Sequence, residues 1–273
     1  MVCLHPSRIR VKGKPYGSEG SVLEVPCGRC LPCRIERTRE WKVRLLHELD
    51  AHESAVFVTL TYDPDHLPED LSVSKRELQL YIKRVRFALE PRKIKYFGCG
   101  EYGEQYGRPH YHIIMFSVGF EDADLLRSCW DKGFVSVGTV TADSCGYVAG
   151  YVRKKLTGPM AEVVYNGRVP PFQLQSQGLG KGYALSHRKQ IEADLGTSIR
   201  GVPQGLPRYY RKVLDIPTEV LAEKAIESAS KVADVWYSRG ANDDADVHVA
   251  KHVARKQNAR TLADRLSLKE SKL

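Results

Sequence analysis

Two histidines two positions apart, His110 and His112, are the residues with the clearest potential for chemistry. They lie in the run RPHYHIIMF, which is typical of a β-strand because apolar residues follow the histidines. Side chains alternate between the two faces of a strand, so both imidazoles share one face and Tyr111 takes the other. Neutral imidazole is a common ligand of divalent metals. The pair therefore predicts part of a metal site on a rigid strand.

A third ligand is available just before the histidines. Glu101 ends a predicted strand over 93–101, and the Gly-rich link 102–109, which contains Glu104, is expected to fold that strand back as an antiparallel hairpin. A carboxylate beside two imidazoles suits a divalent metal that acts on phosphate. The alternative is that both histidines are partly buried polar residues with no ligand role.

A pair of tyrosines supplies a candidate nucleophile. Tyr147 and Tyr151 are four residues apart, so they share one face of a helix predicted over 143–156. A phenol has a pKa of about 10, so attack on phosphorus needs a metal-polarised phosphate and a nearby cation such as Lys154 or Lys155. Gly150 within the helix predicts close approach of another group. The alternative is an aromatic stripe that packs on the sheet.

Regular elements must bring these residues together. The hydrophobic pattern predicts helices over 32–50, 74–89, 123–130 and 143–156, and strands over 55–62, 93–101, 110–118 and 133–140. Ser74 with Glu77 has the pattern of a capping box. The order β–α–β–β–α–β–α indicates an α+β fold, an antiparallel sheet with helices on one face and the other face free to carry a site.

Composition and charge restrict the class of protein. The 273 residues are 42% hydrophobic and 27% charged, with a net charge of +9, so we expect a globular chain with a polyanionic partner, nucleic acid first. No run approaches the roughly 20 apolar residues of a membrane span, and the N-terminus lacks the apolar segment of a signal peptide. We therefore expect a cytoplasmic protein with no membrane partner.

Three cysteines at three-residue intervals, Cys27, Cys30 and Cys33, form a second candidate metal site. Zinc takes four ligands in a tetrahedron, and Cys3 or His5 is available as the fourth. The odd total of seven cysteines argues against a disulfide framework. An iron–sulfur cluster is the less favoured metal centre, because the proline that follows such motifs is missing. The alternative is a set of small, half-buried residues that bind no metal.

The chain divides into three segments by composition. Residues 1–33 form a cysteine-bearing N-terminal segment, 34–158 the core, and 159–273 a basic extension with a helix over about 217–237 and a polar tail. Basic residues near the core's end and in the extension are candidate phosphate contacts. These are Arg153, Arg208, Arg211 and Lys212.

The ordered motifs FVTLTY (57–62), His110-Tyr111-His112 and Tyr147-x3-Tyr151 resemble those of the HUH endonucleases. The spelling is most similar to replication initiators of microviruses, particularly the gokushovirus group, and GCGEYG (98–103) also fits. The resemblance covers about residues 25–160. Tyr111 departs mildly from the pattern, since an aliphatic residue is usual between the histidines.

The resemblance implies a function as well as a fold. It implies an RRM-like sheet with the site on its open face, with Glu101, His110 and His112 holding Mg²⁺ or Mn²⁺. Tyr147 and Tyr151 would be nucleophiles, assisted by Lys154 or Lys155. The enzyme would nick the viral strand at a single-stranded or supercoiled origin, form a covalent 5′-phosphotyrosine, leave a 3′-hydroxyl primer and rejoin the strand to a circle. Host helicase and polymerase would be partners.

Three other interpretations stay open at this stage. A plasmid replication or mobilisation protein would use the same chemistry. A non-catalytic, zinc-stabilised nucleic-acid-binding protein would need the cysteines but not the tyrosines. A metal hydrolase of small phosphate esters would keep the histidines and leave the tyrosine pair and the basic charge unexplained.

Overall fold

The computed structural model describes residues 3–10, 22–103, 106–154, 159–217 and 220. Within this part of the chain, residues 38–216 form one compact unit, and the residues before Thr38 belong to a second unit. The compact unit extends beyond residue 158, where the sequence suggested that the core ends. Of the remaining sequence-based predictions, Glu104, Lys155, the helix over 217–237 and the polar tail lie outside the described residues.

The described residues form short elements in the following order along the chain. They are β1 (Ser7–Arg10), β2 (Val22–Val25), α1 (Leu31–Leu49), β3 (Ala55–Tyr62), α2 (Lys75–Ala88), β4 (Lys95–Tyr102), β5 (Pro109–Phe116), α3 (Ala123–Ser128), β6 (Gly133–Thr139), α4 (Ala142–Lys154), α5 (Pro159–Tyr165), β7 (Phe172–Gln175), α6 (Lys181–Ser186), α7 (Arg188–Asp194), β8 (Gly196–Ile199), β9 (Val202–Gly205) and α8 (Arg208–Leu214).

A five-stranded sheet with the order β6-β3-β5-β4-β7 is the centre of the larger unit. Every neighbouring pair is antiparallel, and β4 and β5 form the hairpin that the sequence predicts. The α+β class and the order of the core elements are therefore confirmed. The edge strand β7 was not predicted, because four residues are too few to carry a clear alternation.

One face of the sheet packs on α2 and α3. Alternate residues of β3, beginning with Val56 and ending with Tyr62, point to this face and are buried. Helix α2 presents Leu78, Ile82 and Val85 to the same core, as its predicted apolar stripe requires. It begins where predicted, since the Ser74 side chain accepts a hydrogen bond from the Glu77 backbone N–H at 3.3 Å.

The second face is not open over its whole area, and this corrects the expectation that helices cover only one side. Leu45 and Leu46 of α1 and Val148 of α4 pack on Phe97 and Ile114 of the sheet. The physical reason is that both helices carry an apolar stripe that must be buried somewhere. The uncovered part of this face lies toward the ends of the strands that carry His110 and Glu101, where His110 and Thr61 are only half-buried. No described helix is both long and apolar enough to cross a bilayer.

Candidate active site

The hairpin register brings Glu101 and the two histidines together. Glu101 pairs directly with His110, and Cys99 pairs with His112, so the carboxylate and both imidazoles project from the same face. Glu101 Oε1 lies 3.0 Å from His110 Nε2 and 2.9 Å from His112 Nε2. One donor atom from each of the three residues falls within 4.8 Å of the others. Two adjacent strands thus supply a compact set of three potential ligands.

The other ring nitrogen of each histidine is held by the protein. Nδ1 of His110 donates to the Arg108 carbonyl oxygen at 3.0 Å, and Nδ1 of His112 is hydrogen-bonded to Thr59 Oγ1 at 3.0 Å. A neutral imidazole with its proton on Nδ1 presents the Nε2 lone pair, as metal-binding histidines do. Two such lone pairs and a carboxylate oxygen at this separation repel one another unless a cation lies among them. The donor set therefore fits a divalent metal ion.

The site is buried on the ligand side. Glu101 is 4% exposed and His112 is 7% exposed. Burial by itself would raise the pKa of Glu101, but hydrogen bonds with His110, His112 and Tyr151 outweigh it and lower the pKa to about 2. Glu101 is therefore a carboxylate at neutral pH, the form that a metal requires.

Helix α4 places the two tyrosines over this cluster. The ring of Tyr151 stacks on His112 with 5.6 Å between centroids, and Tyr147 meets His112 edge-on at 5.5 Å. The two phenol rings are 4.9 Å apart. Tyr151 is 5% exposed and hydrogen-bonds with Glu101 and Tyr147, whereas Tyr147 is 53% exposed. Burial, followed by those hydrogen bonds, raises the pKa of Tyr151.

This arrangement of a metal-binding triad beneath two tyrosines occurs in a stretch of sequence that matches a known family. The family of replication-associated proteins of the ORF2 type matches residues 55–156, which include all five of these side chains. "Replication-associated protein VP4" of Bdellovibrio phage phiMH2K is 32% identical over 245 residues, covering 77% of this chain and 76% of the relative. The chain belongs to the family of phage replication-associated proteins.

Two further relatives carry the same description. "Replication-associated protein ORF2" of Spiroplasma virus 4 is 29% identical over 261 residues, covering 79% of this chain and 81% of that protein. "Replication-associated protein ORF4" of Chlamydia phage 1 is 29% identical over 213 residues, covering 70% of this chain and 53% of that protein. No solved structure matches the chain. The predicted resemblance to replication initiators of microviruses is confirmed at the level of the family.

Two residues of the site in this replication-associated protein were missed in the sequence. Thr59 lies directly across from His112 on β3 and holds its ring, and the backbone of Arg108 does the same for His110. Arg108 in turn donates from its guanidinium to the Tyr62 carbonyl oxygen at 2.9 Å. The available signal was FVTLTY (57–62), in which the threonines alternate with buried residues, but only the strand register shows which threonine faces which histidine.

The tyrosine between the histidines has a structural role on the opposite face. Tyr111 is fully buried, and its hydroxyl lies 2.8 Å from the Tyr62 hydroxyl. It also accepts a hydrogen bond from the backbone N–H of Ser74, the N-cap of α2, at 2.9 Å. An aromatic residue here therefore ties the site strand to α2, which an aliphatic residue cannot do.

The glycine and the basic residues gave mixed outcomes. A Cβ added to Gly150 would have no described atom within 4 Å, so the predicted close approach of another group is wrong for the part of the chain that is described. Side-chain positions are not described for Arg153 and Lys154, so their predicted roles stay predictions. Arg208, Arg211 and Lys212 lie together on α8, where Arg208 pairs with Glu40 at 3.7 Å.

The structure also gathers the N-terminal cysteines. Cys3, Cys27, Cys30 and Cys33 place their sulfurs within 4.8 Å of one another, and Cys3 is the fourth member of the group. Burial would raise the pKa of Cys27, but hydrogen bonds from the backbone N–H groups of Cys30 and Arg29 lower it to about 6. Burial raises the pKa of Cys33 to about 12. The other three cysteines are buried free thiols.

Proposed function

We propose that this phage replication-associated protein is a metal-dependent DNA strand transferase that initiates rolling-circle replication. It cuts the viral strand at an origin with a tyrosine nucleophile and later rejoins it to a circle. The observation that carries the proposal is the placement of Tyr147 and Tyr151 directly over the cluster of Glu101, His110 and His112.

The triad would hold the cation, Mg²⁺ or Mn²⁺, through Glu101 Oε1 and the two Nε2 atoms. When bound, this cation would supply Lewis-acid polarisation of the scissile phosphate and stabilise charge on its oxygens. Thr59 and the Arg108 carbonyl fix the imidazole rings, so the three donor atoms keep their positions without a bound substrate. Such preorganisation lowers the cost of binding charge in a buried site.

We assign the first cut to Tyr147. Its hydroxyl oxygen forms a bond to phosphorus, the bond from phosphorus to the 3′ oxygen breaks, and a proton from the phenol balances the one taken up by the released 3′-hydroxyl. The products are a 5′-phosphotyrosine and a 3′-hydroxyl primer. Tyr147 is half-exposed and can reach a strand arriving from solvent, whereas Tyr151 is buried against Glu101.

Tyr151 is then the nucleophile for the second cut, after one round of synthesis has regenerated the origin. The new 3′-hydroxyl attacks the first phosphotyrosine, which restores the phenol of Tyr147 and closes the circle. Every step exchanges one phosphoester for another, so no external energy source is needed. We further propose that Lys154 or Lys155 stabilises the phenolate, because both follow Tyr151 on the chain by about one turn or less.

The phage relatives favour a phage initiator over the plasmid and mobilisation alternatives. The proposed substrate is a single-stranded or supercoiled origin, contacted in part by Arg153, Arg208, Arg211 and Lys212. Host helicase and polymerase are the proposed partners, in the cytoplasm of a bacterial host. The net charge of +9 is consistent with a polyanionic substrate.

The decisive experiment follows the covalent intermediate. Labelled single-stranded DNA that carries the phage origin is incubated with the protein and Mn²⁺, and adducts are separated on a denaturing gel. The variant Tyr147→Phe with Tyr151→Phe should form no adduct and should nick at least about 10⁴-fold more slowly, because no nucleophile remains. Adduct formation by this double variant would overturn the assignment.

A matched control removes one hydroxyl elsewhere. Tyr209→Phe on α8 keeps the ring that lies 3.9 Å from the Arg44 guanidinium and should leave the adduct unchanged. Tight DNA binding without any nicking by the unmodified protein would instead favour the non-catalytic nucleic-acid-binding alternative.

A further inference from the structure

We propose that Cys3, Cys27, Cys30 and Cys33 form a structural zinc site, independent of the strand-transfer centre. The four residues come from three places in the chain: the segment before β1, the loop after β2 and the first turn of α1. Cys3 is separated from the other three by both strands of the β1–β2 hairpin. Folding of the N-terminal unit is therefore what completes the set.

The distances suit a tetrahedral metal ion. With Zn–S bonds of about 2.3 Å, the edges of a tetrahedron of sulfurs are about 3.8 Å long. The Sγ atoms of Cys3 and Cys30 are 3.7 Å apart, and all four sulfurs lie within 4.8 Å of one another. The same four residues fill every position of the tetrahedron, which is the pattern of a structural rather than a catalytic zinc site.

Backbone hydrogen bonds already support metal-bound sulfur. The N–H groups of Arg29 and Cys30 donate to Cys27 Sγ at 3.4 and 3.3 Å, and the N–H of Cys27 donates to Cys3 Sγ at 3.3 Å. Donors of this kind orient the ligands of metal centres and offset the charge of thiolates.

The N-terminal segment also lacks the means to be stable by packing alone. Strands β1 and β2 have four residues each, and all four side chains of β1 are exposed. An isolated two-stranded hairpin is marginally stable in water, and small units without a core depend on a disulfide or a metal. All seven cysteines are free thiols, which leaves the metal.

The test measures metal content in the full-length protein purified without added metal or chelator. We expect about one zinc per chain by elemental mass spectrometry. Cys30→Ser should lose at least half of that zinc and Cys3→Ser should do the same, whereas Cys129→Ser, a buried cysteine on another helix end, should retain it. Zinc content that is the same in all four proteins would overturn the proposal.

A second measurement guards against variants that fail to fold. Co²⁺ added to the demetallated wild-type protein should give the intense thiolate charge-transfer and d–d absorption of a tetrahedral four-sulfur site. An octahedral spectrum, or the chromophore of an iron–sulfur cluster in the purified protein, would contradict zinc. Loss of the Tyr147 nucleophile should leave this spectrum unchanged, so failure of the nicking proposal and failure of the zinc proposal are separate results.

A different observation points to a base-stacking residue beside the strand-transfer centre. Phe134 of edge strand β6 pairs with Thr61, which pairs with His110, which pairs with Glu101, so these four residues form one row across the sheet. Residues directly opposite one another share a face, so the Phe134 ring projects from the face that carries the triad. The ring is 67% exposed.

We infer that Phe134 stacks on a base of the single-stranded DNA substrate, an inference that rests on the proposed function. Strands lie about 4.8 Å apart, so Phe134 is about 10 Å from the His110 strand and can meet a nucleotide near the scissile phosphate. Exposed aromatic rings on an open sheet bind single strands by stacking, which requires unpaired bases. The charge of +9 supplies the attraction for the backbone.

The test is binding in the presence of a chelator, where no cleavage takes place. The probes are a fluorescein-labelled mixed-sequence DNA single strand and a duplex of the same sequence, followed by anisotropy. Phe134→Ala should weaken single-strand binding about tenfold and duplex binding much less, and Phe134→Trp should restore it. Phe87→Ala is the matched control, because Phe87 is 77% exposed on α2, which packs on the other face.

Two results would overturn this second inference. One is unchanged single-strand binding by Phe134→Ala, and the other is an equal loss in Phe87→Ala. Because the assay needs no nucleophile, the expected binding defect in Phe134→Ala together with an intact adduct in the double tyrosine variant would reject the nicking mechanism and retain the stacking surface.

Discussion

The hairpin of β4 and β5 meets tyrosines differently on its two faces. On one face Tyr111 is fully buried, and its hydroxyl is bonded to Tyr62 and to the backbone of Ser74. On the other face Tyr147 is half-exposed beside His112, and Tyr151 lies over the carboxylate of Glu101. The same side-chain chemistry is thus surrounded by structural partners on one side and by potential metal ligands on the other.

The difference teaches that partner and access, rather than residue type, decide what a phenol does. Tyr62 and Tyr111 satisfy each other, and burial raises the pKa of both, so they stay neutral and act as hydrogen-bonding groups of the core. Tyr147 keeps an open path to solvent above the triad. Variants on the two faces should therefore separate stability from strand transfer.

Removal of a triad ligand is the change with the largest expected effect. His112→Ala should lower the nicking rate about 10³-fold, since loss of the cation removes several kcal/mol of transition-state stabilisation. His66→Ala is the control, because His66 is an exposed histidine bonded to Asp63. Nicking of origin DNA at the wild-type rate by His112→Ala would eliminate the triad as the metal site.

Loss of the support behind that ligand should have a smaller effect of the same kind. Thr59→Val removes the hydroxyl that holds Nδ1 of His112 and should raise the Mn²⁺ concentration for half-maximal nicking about tenfold. Thr61→Val changes the neighbouring threonine on the same strand face and should alter the metal requirement less. An equal metal requirement in Thr59→Val and wild type would show that the hydroxyl does not position the ring.

On the opposite face the expected loss is in stability. Tyr111→Phe leaves the Ser74 N–H and the Tyr62 hydroxyl without their partner and should lower the free energy of unfolding by about 2 kcal/mol. Nicking by the folded variant should persist. Tyr106→Phe, at a residue that is 74% exposed, is the control for urea unfolding. A Tyr111→Phe protein that is stable but inactive would break the comparison between the faces.

The smallest expected effect is a dependence of stability on alkaline pH. Burial, followed by the Tyr111 hydrogen bond, raises the pKa of Tyr62, so the folded state keeps a proton that the unfolded state releases at about pH 10. This contribution to stability is fully present below about pH 10 and is lost as the pH rises above it. Unfolding free energies measured from about pH 8 to 11 should fall more steeply for wild type than for Tyr62→Phe.

Much of the site could be predicted from local patterns, with limits that have physical causes. The alternation in β5 placed His110 and His112 on one face, and a short link made the hairpin with Glu101 the simplest connection. The helical spacing of Tyr147 and Tyr151 likewise required no tertiary information. These inferences worked because each depends on residues that are close in sequence.

Other features depend on contacts between distant residues. Cys3 precedes Cys27 by 24 positions, and spacing alone left His5 as an equal candidate for the fourth ligand. Strand β7 is too short for its alternation to be recognised, although Phe172 packs so closely on Gly100 that a Cβ there would be 2.8 Å from the ring. No local pattern indicated that α1 and α4 would cover part of the site face.

By itself the sequence determined which chemistry is available: two imidazoles and a carboxylate for a cation, two phenols as nucleophiles, four thiols and an excess of positive charge. Periodicity along the chain fixes which side chains share a face, so this much is local. Only the tertiary structure decided that Thr59 holds His112, that Tyr151 is buried while Tyr147 is open, and that Phe134 stands in the row of the triad. Strand register and helix packing set those relations, and both arise from burial of apolar surface between residues far apart in the chain.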